Sequence, residues 1–134
     1  MSAENIDALR EGLEAFNSRD IERILGFLHP EFEAVVPPAL SAEPDTYRGH
    51  AGARRYFESF WETMDEIRFR PEHFWDAGES VVVAMRITAK GRRTAIAVEQ
   101  RFTQVWTFRD GKATRARAYA SEADALKAAG LRDG

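Results

Sequence analysis

Between Val98 and Ala120 the chain alternates in a pattern that only two paired strands explain, and that pairing constrains the rest of the fold. On the ascending strand Gln100, Phe102, Gln104, Trp106 and Phe108 share one parity, and on the return Thr114, Ala116, Ala118 and Ala120 share one. The two sets face each other when Arg109-Asp110-Gly111 forms a three-residue loop with Gly111 left-handed. One sheet face then carries large aromatics and two amides opposite a column of alanines. Phe102 and Trp106 lie opposite or diagonal to Ala116 and Ala118, so they either fill that space as core or leave a hollow. A buried amide without a partner costs about 1–3 kcal/mol. An inward Gln104 or Gln100 therefore needs a partner, whether ligand, water or backbone.

Helical spacing dominates upstream. Ile6, Leu9, Leu13 and Phe16 form one apolar stripe behind a Ser2 cap. Asn17-Ser18-Arg19 interrupts it, Asp20 caps a shorter helix carrying Ile21, Ile24, Leu25 and Leu28, and His29-Pro30 stops that helix. Phe32, Ala34 and Val36 alternate as a short strand. Three prolines between Pro37 and Gly49 predict a long loop of the kind that often binds or covers a site. A third helix spans about His50 to Met64, with Tyr56, Phe57, Phe60, Trp61 and Met64 on its apolar face. Strands follow over Ile67–Asp76, Val81–Lys90, Ala95–Arg109 and Lys112–Ala120, with turns at Asp76–Glu79, Gly91–Arg93 and Asp110-Gly111. The apolar parity changes near Pro71, which predicts a bulge. Ser121 caps a final helix ended by Gly130, and Arg132–Gly134 are expected to fray.

Helices followed by strands joined through short turns predict an α+β fold with a mostly antiparallel sheet. The 134 residues are expected to form one domain, 1–134, without repeats. With no cysteine there is no disulfide framework or thiol nucleophile, and His29, His50 and His73 show no metal-ligand spacing. Neither a metal nor a cofactor is expected. A net charge of −3 with dispersed cations argues against nucleic acid, and no apolar run is long enough for a membrane span. The first residues show no secretory pattern, so a cytoplasmic location is the default expectation.

Phe16-Asn17-Ser18-Arg19-Asp20, Phe27-Leu28-His29-Pro30-Glu31-Phe32, Tyr47-Arg48-Gly49-His50-Ala51-Gly52 and Val105-Trp106-Thr107-Phe108-Arg109-Asp110-Gly111-Lys112 give the chain its likeness to a known family. In order and motif it resembles the nuclear transport factor 2-like superfamily, in its SnoaL-like branch. The resemblance implies a cone-shaped fold, three N-terminal helices packed on a curved, mostly antiparallel mixed sheet, plus a short C-terminal helix. It also implies a pocket between helices and concave face, and a homodimer through the convex face. Alternation then places Phe32, Ala34, Val36, Val83, Met85, Ile87, Gln100, Phe102, Gln104, Trp106, Ala116 and Ala118 on the concave side. Arg86, Thr88, Glu99, Arg101, Thr103, Arg115, Arg117 and Tyr119 fall on the other.

This fold hosts isomerases, cyclases, hydrolases and scaffolds, so function rests on the site. The ketosteroid isomerase set (a carboxylate base, a tyrosine and a protonated aspartate) meets Val36, the neighbourhood of Gly12, and Gln104. The Asp-Arg-Asp set of the fold's epoxide hydrolases meets Ala118 and apolar residues such as Met85 and Ile87. Both sets are missing. An amide cannot titrate, but Gln104 could donate to a carbonyl oxygen. The expected reading is a domain that binds a small hydrophobic molecule in a mostly apolar pocket lined by Phe16, Val36, Tyr56, Phe60, Met85, Gln104, Trp106 and Ala118. The alternatives are an isomerase-, cyclase- or hydratase-type enzyme acting on a hydrophobic carbonyl compound, or a purely structural dimerisation module. An enzyme would need Tyr56, His50 or His73 in the pocket. His50, with Tyr47 and Arg48, is read as stabilising a loop-to-helix join, His73 as surface, and His29 as a helix terminator.

Overall fold

A computed structural model describes residues 2–36, 45–91 and 96–131. Four helices and a six-stranded mixed sheet follow in the order α1 (Ser2–Asn17), α2 (Ile21–Phe27), β1 (Leu28–Val36), β2 (Asp45–Arg48), α3 (Gly49–Thr63), β3 (Met64–Ala77), β4 (Ser80–Gly91), β5 (Ala97–Arg109), β6 (Lys112–Tyr119) and α4 (Glu122–Ala128). The strands lie in the order β2-β1-β6-β5-β4-β3, and only the β1–β6 pair is parallel. Of the first three helices, α1 and α2 precede the first strand and α3 follows β1 and β2, so the order read from the sequence gains one strand, β2.

Local chemistry explains the helix ends. The Asp20 carboxylate accepts from the Arg23 amide, and the Ser121 hydroxyl accepts from the Asp124 amide at 3.2 Å, so both caps form as expected. The stop at His29-Pro30 falls earlier. Leu28 is already extended, and His29 and Pro30 belong to β1. Pro30 fits because the register with β6 slips between Leu28 and Glu33, where the ladder needs no donor from it. The long loop is also corrected at its end, since Asp45–Arg48 pairs antiparallel with β1 as β2. The remainder of that loop, the Arg92-Arg93 turn, Ala95 and the last three residues lie outside the described residues.

The decisive hairpin closes differently from the expected three-residue loop. Asp110 and Gly111 both adopt positive φ, 53° and 78°, and Arg109 pairs directly with Lys112, which makes a two-residue turn. A register shift between Thr107 and Phe108 inserts Thr114, whose hydroxyl donates to the Thr107 carbonyl at 3.2 Å. The extra residue sits in a bulge rather than in the turn, and the parity is unchanged. Gln104 faces Ala118 and Trp106 faces Ala116, each two residues on from the partner a three-residue loop would give. The bulge expected near Pro71 is present between Pro71 and His73.

The helix side of the sheet holds the main core: Phe32, Ala34, Val81, Val83, Met85, Phe102, Trp106, Phe108, Ala116 and Ala118 pack with Leu9, Leu13, Phe16, Ile24, Phe57 and Trp61. At the outer edge, the Asn17 side chain acts as a strand residue. Its amide donates to the Phe69 carbonyl at 3.0 Å and its oxygen accepts from the Phe69 amide at 2.8 Å. On the reverse face, α4 seals a smaller apolar cluster with Ala125 and Leu126 over Val82, Trp75, Val105 and Tyr119. The rest of that face is charged and cross-linked, including Arg101 to Glu72 at 3.2 Å and Arg115 to Glu33 at 3.5 Å. Among the described residues, no helix is long and apolar enough to cross a membrane.

Candidate functional site

Between α3, the end of β1 and the far ends of β3, β4 and β5 lies a cavity of about 350 Å³. Phe60 and Tyr56 of α3 form one wall, Ile67 and Phe69 of β3 with Ile87 and Ala89 of β4 the opposite one. Val36, Tyr47 and Ala118 close one side, and Phe102 completes the floor. Ser59, Val98 and Gln100 are exposed and sit at the rim. The hollow exists partly because Ala118 and Ala89 present only methyl groups, and partly because the aromatic rings lock one another in place. Tyr56 sits 5.0 Å from Phe57 and 5.2 Å from Phe60, both edge-on, and Phe60 meets Phe69 edge-on at 5.9 Å. Phe69 is backed by Phe16, stacked at 4.0 Å.

Val36, Tyr56, Phe60 and Ala118, expected at the lining, are there; Phe16, Met85, Gln104 and Trp106 sit in packed core instead. Phe16 is spent on stacking behind Phe69. Met85 is almost wholly enclosed. Gln104 and Trp106 engage each other: the indole N–H of Trp106 donates to the Gln104 side-chain oxygen at 2.8 Å. Ala116 is covered by the Trp106 ring, which stacks near Phe32 at 5.9 Å. The cavity therefore lies further along the hairpin than the Gln104–Trp106 centre, from Ala118 and Phe102 towards Gln100. Tyr47 was hidden from sequence reasoning by its place between prolines and a glycine. Its position opposite Ala34 of β1 turns it towards the helices, 5.1 Å from Tyr56.

The histidines do not line the cavity. His50 Nε2 lies 3.0 Å from the Leu28 carbonyl and fixes the start of α3, as expected of a join. His73 is exposed on the reverse face against Trp75. His29 Nδ1 accepts from the Glu31 amide. Among the described residues, no cluster of histidine, cysteine or carboxylate groups is arranged to hold a metal. Of the lining residues only Tyr47 and Tyr56 can titrate. Burial, with a smaller contribution from Tyr47, pushes the Tyr56 hydroxyl above the ordinary phenol range. Held protonated, the hydroxyl is a neutral donor. It can polarise an oxygen; it is not poised to abstract a proton.

A family model for the SnoaL-like domain matches residues 9–116. The chain belongs to the SnoaL-like family. Within the nuclear transport factor 2-like superfamily, this SnoaL-like domain is similar to an NTF2-like protein of unknown function from Burkholderia pseudomallei, at 25% identity and a TM-score of 0.78 over 92% of this chain and 95% of that one. It is similar to TerC, in a structure co-crystallised with polyporic acid, at 29% identity and a TM-score of 0.78 over 95% and 98%. A putative SnoaL-like polyketide cyclase from Jannaschia sp. CCS1 shares the fold, with a TM-score of 0.77, at 15% identity over 88% and 85%. No curated protein gives a significant match to the chain.

Proposed function

We propose that this SnoaL-like domain binds a small hydrophobic molecule in the cavity between α3 and the sheet. The observation that carries the reading is the wall itself: aromatic and aliphatic side chains surround about 350 Å³, with polar side chains confined to the two tyrosines, Ser59 and Gln100. That volume and composition are typical of sites for compact organic ligands. Co-crystallisation of the relative TerC with polyporic acid supports the reading of a site for an aromatic ligand. A ligand that binds only the folded state raises stability by about 2.7 kcal/mol at a hundredfold excess over its Kd. Thermal unfolding with a panel of apolar aromatic compounds is expected to give concentration-dependent increases in Tm, lost in Ala118→Phe, which fills the cavity. No shift with any compound would end the reading. The proposal includes a homodimer through the charged half of the reverse face that α4 leaves open. A monomer by light scattering at micromolar concentration would remove that part.

A further inference from the structure

We infer that the cavity selects its ligand by charge state, taking the neutral form of a weakly acidic aromatic compound, a phenol or enol, and rejecting the ionised form. The inference rests on the ligand-binding reading above and adds the chemical class. Its basis is what the walls lack. Fourteen residues line the cavity among those described, and none is Asp, Glu, Lys, Arg or His. A phenolate moved from water into such walls loses its hydration and meets no cation, which costs far more than burying the neutral phenol.

Many charged groups of the surrounding elements are paired outside the lining. On α3, Arg54 pairs with Glu22 at 2.7 Å and with Glu58, while the Arg55 guanidinium lies over the Tyr47 ring at 5.3 Å from its centre. On β1, Glu33 turns to the reverse face, where it meets Arg48 of β2 and Arg115 of β6. On β4, Lys90 pairs with Glu66 of β3, and Arg86 lies near Glu99 of β5 at 3.8 Å. Arg101 of β5 pairs with Glu72 of β3, and Arg117 of β6 lies over Tyr119. Tyr56 is itself a phenol within these walls, and burial holds it in its neutral form. A bound phenol meets the same surroundings, with the Tyr56 hydroxyl and the Gln100 amide available to its oxygen.

4-Nitrophenol is a direct probe, because phenol and phenolate differ in absorbance, and 4-nitroanisole is its non-ionising counterpart. Binding of both is measured across the pH range that brackets the nitrophenol pKa. The expected result is a Kd for nitrophenol that is constant below the ligand's pKa and rises about tenfold per pH unit above it. The bound spectrum is then that of the phenol at every pH, and the nitroanisole Kd is flat. A phenolate spectrum in the complex, or a pH-independent nitrophenol Kd, overturns charge selection while leaving ligand binding intact. Failure of both probes and of the wider aromatic panel overturns ligand binding and this inference with it. Gln100→Lys, at an exposed rim position, places an ammonium beside the cavity and is expected to admit the phenolate. Continued rejection by that variant overturns the argument, because a missing cation would not be the cause.

Discussion

Gln104 and Trp106 stand next but one on a single strand, and neither side chain would be comfortable in the core alone. Their 2.8 Å hydrogen bond explains why an amide survives in the core opposite Ala118. Trp106→Phe removes the only donor shown for the Gln104 oxygen, and an unmatched buried acceptor costs about 1–3 kcal/mol in addition to the lost packing. Chemical denaturation is expected to show that loss. The double variant Gln104→Leu/Trp106→Phe should recover part of it, a non-additivity that marks a shared interaction. If the double variant is as unstable as the two single losses combined, the pairing contributes nothing. The sequence told us that Gln104 points inward and requires a partner. It could not say which, because the partner two residues away was itself a candidate for the pocket.

At the scale of elements, α1 and α2 meet where one residue has no side chain. A Cβ on Gly12 would stand 2.6 Å from Phe27 Cε2 and 2.7 Å from Cδ2. Phe27 cannot easily yield, since its ring packs against Trp106 at 5.6 Å and Phe108 at 5.9 Å. Gly12→Ala gains up to about 1 kcal/mol of helix propensity, while overpacking typically costs about 1–3 kcal/mol. A net loss of stability is expected by thermal unfolding, and Phe27→Leu in the same chain should relieve it. Elements with long periodic stripes, such as α1, β4 and β5, were legible from alternation and spacing alone. The short ones were not. Four residues of β2 carry too little pattern to stand out from the prolines before them, and β1 begins just before a His-Pro pair that reads as a terminator until the β6 register slip is known.

For the whole molecule, the face assignment survived although the turn type was misread, because a bulge at Thr114 restores the parity that a two-residue turn would have changed. The position of the cavity was less legible. It depends on which alanine has a ring over it, and Trp106 covers Ala116 while nothing of that size covers Ala118. One global property follows from the Tyr56 hydroxyl. Its pKa is raised in the folded state, so below the ordinary phenol value of about 10 both states carry the proton and stability is unaffected. Above that value the unfolded chain loses the proton first, and stability falls as pH rises. Denaturation at increasing alkaline pH should therefore show a steeper decline for the parent chain than for Tyr56→Phe. Equal slopes would mean the phenol is not held neutral by the fold.

The clasp of Asn17 on Phe69 has a consequence beyond its two hydrogen bonds. β3 is the last strand of the sheet, and Phe69 is the point where its outward backbone groups are occupied by a side chain. Pro71, two residues on, has no amide hydrogen to offer. Asn17→Ala should cost about 1–3 kcal/mol in denaturation and speed hydrogen exchange at the Phe69 amide. It should also leave a bare template for strand addition, detectable as seeded self-association. A single carboxamide at the tip of the first helix thus works as a stopper against chain-to-chain growth, and it does so while hanging the very ring that forms the back of the hollow.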